Sequence, residues 1–314
     1  MLAPPRSYVY LDAVARAGSI RKAAEQLHVA STALNRKINE IEDSLGTPLF
    51  ERLPRGVRLT AAGEVMVAMA RRAMADQRAA ISHIEHLRGQ VRGTVRVGCA
   101  ESVATDLVPA AIAHYQVKHP GVQFHMASGV TAALVASLLQ DTIDLILVHD
   151  PQPSDQLKIL ASVRQPLCAM VRPDHPLAGL AALRLTDCQK YPVALGNQTF
   201  GSRHLIDAIV ARSSISLKVV LEASSVQALK EFSRTTGAVS FQYQIGTLRE
   251  VQRGELAAIP LTDRSLAQTR LVLACRAGRM MPIASQSFAQ LLELTLNQLT
   301  PTHTGGAGAV DVMG

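Results

Sequence analysis

Cysteine is scarce and scattered in this 314-residue chain: Cys99, Cys168, Cys188 and Cys275 never stand as a CxxC pair. Such spacing offers neither a disulfide framework nor a zinc site, and it fits a reducing, cytoplasmic setting. Long apolar runs are missing too. No stretch approaches the roughly 18 uncharged apolar residues of a spanning helix, so no membrane partner is expected. The opening residues MLAPPRSYVY lack the basic-then-apolar layout of a secretory leader. Enzyme signatures are also absent: there is no GxSxG elbow, no glycine-rich phosphate loop and no metal quartet. His83-Ile84-Glu85-His86 has the wrong spacing for an HExxH site and reads as a solvated helical face. Asp174-His175 lies between Pro173 and Pro176, which makes it an exposed turn. No catalytic residue, metal or cofactor is therefore expected.

What is present describes a folded protein. Hydrophobic residues make up 48% and charged residues 18%, which excludes a disordered chain. The length implies two or three domains. The net charge of +7 is uneven. Residues 1–92 hold 14 Lys/Arg against 9 Asp/Glu, a balance of +5, while the remainder holds 18 against 16. A positive excess in the first third favours a polyanion there, because neutralising phosphates releases counterions.

The clearest pattern is residues 18–38, GSIRKAAEQLHVASTALNRKI. Ile20, Ala23, Ala24 and Leu27 share one helical face, and Leu34, Ile38, Ile41 and Leu45 share another. Ser19 is placed to cap the first of these helices. Joined by so few residues, the two must cross steeply and bury their stripes together, as in a helix-turn-helix. The outward side of the second carries Ser31, Thr32, Asn35, Arg36 and Asn39, with no carboxylate before Glu40. On periodicity alone, an ordinary helical hairpin explains this equally well. A helix containing Tyr8, Leu11, Val14 and Ala15 precedes the pair and ends near Gly18. After it, Leu49 to Arg52 and Val57 to Leu59 read as short strands around the turn Pro54-Arg55-Gly56, a basic wing bearing Arg52, Arg55 and Arg58.

Thr60 is a plausible cap for a long helix over residues 61–89. Met66, Ala70, Ala73, Gln77, Ala80, Ile84 and Leu87 form a heptad-like seam on it, which predicts self-association. Beyond Gly93, strands and helices alternate, including a helix over 102–119, in the manner of an α/β domain with a largely parallel sheet. About 200 residues of this pattern is better explained by two lobes around a cleft than by one sheet. Expected boundaries are 1–60 for the helix-turn-helix and wing, 61–90 for the linker helix and 91–300 for the α/β part. Its first lobe would take about 91–163 and 266–300, its second about 164–265, and a disordered tail would follow at 301–314.

The run at residues 18–64 closely resembles the LysR-type transcriptional regulators. Its AA..L.V turn, AL.R.I helix, LG..LF strand and R..RGV.LT.AGE wing stand in the family's order. PDHPLAG at 173–179, PGV at 120–122 and TIDLIL at 142–147 are similar to that family's effector domain. The resemblance implies a mixed α/β protein with a winged helix-turn-helix, a dimerising linker helix and a two-lobed, periplasmic-binding-protein-like effector domain. It implies promoter DNA and a small-molecule effector in the interlobe cleft as partners, and a homodimer or homotetramer. Ser31, Thr32, Asn35, Arg36, Arg52 and Arg55 are the expected DNA-binding residues, Arg36 facing a phosphate or guanine and Asn35 an adenine. Ser102, Thr131, Asn197, Thr199, Phe200 and Phe241 are the expected effector-binding residues. Each also has a plain structural reading as a local cap or core side chain, and lone His149 at a strand end reads first as a local hydrogen-bonding group. Two hydroxyls near helix starts point to a carboxylate, an organic acid, as the effector. Ala30 and Ser31 depart from the serine and glutamine or proline usual at the start of the family's recognition helix, and Gln242 replaces a usual proline. The alternative class is a small-molecule-binding protein whose N-terminal helices serve only assembly.

Overall fold

The structure is a computed structural model that describes residues 3–299. The expected tail at 301–314 lies outside the described residues. Three helices open the chain: α1 (Arg6–Ala17), α2 (Ile20–Gln26) and α3 (Ser31–Leu45). A hairpin of β1 (Phe50–Leu53) and β2 (Gly56–Leu59) follows, then the long α4 (Ala61–Leu87). The next elements are β3 (Gly93–Cys99), α5 (Glu101–Ala104), α6 (Leu107–Lys118), β4 (Val122–Ser128), α7 (Thr131–Leu139) and β5 (Leu145–His149). Next come β6 (Leu157–Arg164), β7 (Leu167–Val171), β8 (Pro192–Gly196), α8 (Gly201–Val210), β9 (Lys218–Ala223) and α9 (Val226–Thr236). The chain continues with β10 (Val239–Tyr243), α10 (Leu248–Gln252), β11 (Ala257–Pro260), α11 (Arg264–Ala267), β12 (Arg270–Arg276) and α12 (Ile283–Gln298).

Local chemistry accounts for the N-terminal boundaries. Ser19 Oγ accepts from the Lys22 amide at 3.4 Å, and Thr60 Oγ1 accepts from the Gly63 amide at 3.0 Å, so both expected caps form. Gly18 and Gly46 end α1 and α3 in the left-handed conformation that glycine adopts cheaply. Leu11, Val14, Ala23, Ala24, Leu34, Ile38, Leu49, Phe50 and Val67 close one apolar core beneath the three helices, the hairpin and α4. Leu34 and Ile38, one turn apart, each contribute roughly 2 kcal/mol by leaving water.

Two five-stranded sheets follow, with strand orders β4-β3-β5-β12-β6 and β11-β7-β10-β8-β9. In the first, β3 pairs in parallel with both β4 and β5. In the second, β8 is parallel to β9 and β10, while β7 runs antiparallel to β10 and β11. Every residue of β5, β7 and β10 is buried, which is why β7 and most of β5 read as apolar runs, while β10 buries the polar Ser240 and Gln242 as well. The chain divides into two compact units. One takes everything to Lys158 with Ala274–Phe288; the other takes Ile159–Leu273 with the segment from Ala289 onward.

Some expectations need correcting. The helix foreseen over 102–119 breaks at Thr105-Asp106 into α5 and α6. Strands β6 and β11 were not foreseen, since LKILASVR mixes its periods and AAIP has little strand-forming character. The seam on α4 does not form one exposed face: Ala70 is fully buried against the chain's own core, while Ile84 and Leu87 are exposed. The exposed large apolar side chains on α4 are Val65, Met69, Ile84 and Leu87, of which Ile84 and Leu87 belong to the expected stripe.

Candidate functional site

The turn between α2 and α3 presents the first candidate surface. The Val29 amide donates to the Ala24 carbonyl and the His28 amide to that of Glu25, a Schellman arrangement that lets the chain reverse into α3. His28 occupies the left-handed position, with φ of 54°, where glycine is usual. We expect His28→Gly to raise the melting temperature, by about 1 kcal/mol of relieved backbone strain. A thermal unfolding curve checks this, and a lower melting temperature would refute it. Ala30 takes the N-cap position of α3 with no side-chain cap bond, so the amides of the first turn stay open to another acceptor.

Ser31, Thr32 and Arg36 are exposed on α3, and Asn35 is half-buried between them and the hairpin. Arg36 Nε lies 3.6 Å from Glu40 Oε1, and Lys37 Nζ donates to Glu40 Oε2 at 2.5 Å. The Lys37 bond holds the Glu40 carboxyl below its usual range, so Glu40 is a carboxylate that offsets part of the local charge. Glu42 faces the other way: its Oε1 accepts from the Leu49 amide at 2.7 Å and the Phe50 amide at 2.9 Å. That contact, which the sequence reading missed, fastens the entry of the wing to α3.

The three wing arginines do different things. Arg58 pairs with Glu51 across the hairpin at 2.7 Å. Arg52 Nη2 turns back toward α3 and donates to Asn35 Oδ1 at 2.9 Å and Asn39 Oδ1 at 3.0 Å. Arg55 is exposed at the hairpin tip. Next to it, Gly56 adopts φ of 134° and packs on the α1–α2 turn, where the Val57 amide donates to the Gly18 carbonyl at 2.8 Å.

The second candidate surface lies in the first unit, at the carboxyl ends of β3, β4 and β5. The local order β4-β3-β5 sends the chain from β3 first to one side and then to the other. Ligands of open α/β sheets collect at such a switch point. Here Ser102 Oγ lies 2.8 Å from His149 Nε2, and Thr131 Oγ1 donates to the His149 carbonyl at 3.1 Å. The structure thus brings Ser102 and Thr131 together on His149, a residue the sequence reading had ranked as a local hydrogen-bonding group. Asp150, immediately beyond, has φ of 41°, a strained backbone of the sort that gathers at ligand sites.

In the second unit, Asn197, Thr199 and Phe200 form the turn between β8 and α8. Asn197 Oδ1 accepts from the Thr199 amide at 3.1 Å and the Thr199 hydroxyl at 2.6 Å, and Phe200 precedes the first turn of α8. Asn197 therefore shapes its own loop. Phe241 is buried in β10 opposite Ala169, as a core side chain. Asp174 is held by Arg172 at 2.9 Å and His175 Nδ1 accepts from the Leu177 amide at 3.2 Å, so that pair closes a turn.

Both parts of the chain have counterparts among known proteins. The family model described as bacterial regulatory helix-turn-helix protein, lysR family, matches residues 5–64. The LysR substrate binding domain model matches residues 88–296. The chain is 30% identical over 292 residues to the SDS degradation transcriptional activation protein of a Pseudomonas species (strain ATCC 19151), covering 91% of this chain and 94% of that protein. It is 28% identical over 224 residues to the RuBisCO operon transcriptional regulator of Allochromatium vinosum, covering 71% and 74%. Among solved structures, a full-length OxyR variant from Pseudomonas aeruginosa matches with a TM-score of 0.68 at 21% identity, covering 94% of this chain and 96% of that one. Full-length CbnR complexed with its target DNA matches with a TM-score of 0.59 at 19% identity, covering 91% and 97%. The last two likenesses concern the fold.

Proposed function

The chain belongs to the LysR family of DNA-binding transcriptional regulators, and from that premise we propose that it reads promoter DNA with α3 and the wing and answers to a small organic acid. The observation that carries the DNA surface is the outward face of α3: Ser31, Thr32, Asn35 and Arg36 lie along one side, with Arg55 at the wing tip. Arg36 and Arg55 supply phosphate or guanine contacts, and the hydroxyls of Ser31 and Thr32 supply short hydrogen bonds. Arg52 belongs to the same surface through its hold on Asn35. CbnR, whose fold this chain shares, is known in complex with its target DNA.

Each contacting arginine releases about one counterion from DNA. Arg36→Ala and Arg55→Ala should therefore weaken binding to the chain's own upstream DNA by roughly tenfold each and lower the salt slope by about one. A gel-shift salt series measures both quantities. Unchanged affinity and slope in either variant would take that residue off the surface.

For the effector, Ser102, Thr131 and His149 make a polar cradle at the switch point of the first unit. Asn197, Thr199 and Phe200 make up the weaker candidate surface in the second unit, and Phe241, expected there too, lies in the core beneath β10 instead. Hydroxyls and an imidazole beside the start of α7 suit an anion, because helix N-terminal amides favour negative charge. The effector domain of QuiR, similar in fold at a TM-score of 0.55, is known in complex with shikimate, itself a carboxylate. A ligand at 100 times its Kd stabilises the folded state by about 2.7 kcal/mol, which moves a melting temperature by a few degrees. Organic acids should do this in a thermal-shift panel that also holds amino acids and neutral sugars. Stabilisation by the neutral compounds alone would sink the carboxylate reading.

A thiol-based sensor is disfavoured by the cysteines themselves. Burial pushes the Cys99, Cys168 and Cys188 thiols up to about 12 and raises that of Cys275, the reverse of what a reactive thiolate needs. Among the described residues no helix is long and apolar enough to cross a membrane, and the proposed promoter-DNA target supports a cytoplasmic location. Exposed Val65, Met69, Ile84 and Leu87 on α4 support assembly as a homodimer or homotetramer through that helix.

A further inference from the structure

We propose that Arg52 sets base specificity without touching a base. By holding the side-chain oxygens of Asn35 and Asn39, it turns both amide NH2 groups outward and makes α3 select guanine or thymine over adenine or cytosine where these asparagines reach. This inference rests on the DNA-binding reading of α3.

The geometry starts with one nitrogen. Arg52 Nη2 lies 2.9 Å from Asn35 Oδ1 and 3.0 Å from Asn39 Oδ1. A guanidinium has donors only, so whichever carboxamide atom faces it must be oxygen. The Nη2 group carries two hydrogens, one for each asparagine. Asn35 and Asn39 stand one helical turn apart, so a single cation can serve both. Each bond has a charged donor, which strengthens it above a neutral pair. The strand that carries Arg52 is itself fastened to α3 by the two amide bonds to Glu42. Helix, strand and cation thus form a closed frame, and the rotation of the two amides is set inside the protein before DNA arrives.

The consequence follows from the edges of the bases. In the major groove, guanine presents two adjacent acceptors, N7 and O6, and thymine presents O4, while adenine sets its N6 donor beside its N7 acceptor and cytosine presents only its N4 donor. Two outward NH2 groups complement the acceptors and clash with the donors. Pairing Asn35 with adenine needs its oxygen free to accept from N6 while its NH2 donates to N7. That oxygen is committed to Arg52. The adenine contact expected of Asn35 from the sequence is therefore replaced by a contact to a keto base.

The test is selection from a randomised duplex library by the full-length protein, followed by sequencing, for wild type, Asn35→Ala, Asn39→Ala and Arg52→Ala. Each asparagine variant should flatten the preference at its own positions, which identifies those positions. At them the wild type should favour guanine or thymine over adenine and cytosine by about tenfold, in line with the value of one good base contact. Arg52→Ala should reduce that ratio to about twofold by freeing the amides to rotate, with the salt slope of binding unchanged.

A wild type that does not group guanine with thymine on one strand at those positions, for example one that accepts a single orientation of the adenine–thymine pair and rejects both orientations of guanine–cytosine, would overturn the proposal, whatever the stability of the variants. So would asparagine variants that change no preference. An Arg52→Ala protein with unchanged base preference, lower affinity for every sequence and a salt slope reduced by about one would make Arg52 a phosphate contact instead. A wild type that selects no DNA would overturn the DNA-binding reading itself, and this inference with it. A wild type that selects DNA without the keto preference overturns this inference alone.

Discussion

Gly56→Ala should detach the wing and cost at least tenfold in DNA affinity. A Cβ at this position would sit 2.2 Å from the Gly18 carbonyl oxygen, a backbone atom that cannot rotate away. The residue also adopts φ of 134°, where any side chain is strained. Relieving the clash means moving the wing off the α1–α2 turn, which breaks the 2.8 Å bond from the Val57 amide to Gly18. Strain and the lost bond together amount to about 3 kcal/mol. Gly46→Ala is the control. Gly46 also has a positive φ, of 66°, but nothing lies within 4 Å of the added methyl, so about 1 kcal/mol is expected. Melting temperatures and gel shifts on both variants decide the matter. Equal effects from the two substitutions would show that the glycine conformation matters and the close approach does not.

The second large effect is expected where α1 meets α4. Arg71 Nε donates to Asp12 Oδ1 at 2.6 Å, and its Nη1 donates to Gln140 Oε1 at 2.7 Å. Both charged side chains are almost out of water, at 12% and 13% exposure. Removing one partner of such a pair leaves a buried charge and costs about 3 kcal/mol, whereas replacing both with apolar groups of similar size is close to neutral. Asp12→Leu alone should therefore be strongly destabilising, since among the described residues it leaves Arg71 the neutral Gln140 as its side-chain partner. Arg71→Met alone should cost less, because Asp12 keeps Arg16 at 2.9 Å. The double variant should be more stable than Asp12→Leu. Chemical denaturation of the four proteins gives the coupling directly, and simple additivity would show that the pair is not acting as a unit.

This region also shows how far the sequence could be read. The periodicity of Ile20, Ala23, Ala24 and Leu27 and of Leu34 and Ile38 predicted two helices that the structure contains, and Ser19 and Thr60 cap where expected. Arg71 and Asp12, by contrast, are 59 positions apart, and no local pattern links them. A shorter separation, of 17 and 13 positions, hid the bonds of Arg52 to Asn35 and Asn39. A basic residue on a short strand reads as a phosphate contact until the strand is seen folded against α3. The α4 seam shows a related limit: a heptad pattern marks apolar residues but does not say whether a partner helix or the chain's own core will cover each of them. Ala70 went to the core.

At the switch point, the positions of Ser102 and Thr131 just beyond their strands follow from the alternation of strand and helix in the sequence. His149 makes the local hydrogen bonds expected of a lone histidine at a strand end, but its partners could not be read from spacing. Only the parallel pairing of β3 with β5 places its ring 2.8 Å from Ser102.

By itself, then, the amino-acid order determined what depends on neighbours within a turn or two: the helices, their caps, the basic wing, the family motif and the alternation of strand and helix. Hydrogen bonds and side-chain packing at that range follow from backbone geometry alone. Tertiary structure decided which partner each charge took, which stripe of α4 stayed exposed and which way the amides of Asn35 and Asn39 point. Those outcomes require distant segments to meet, and for Arg71 and Asp12 folding has also removed most of the water that would otherwise hold them.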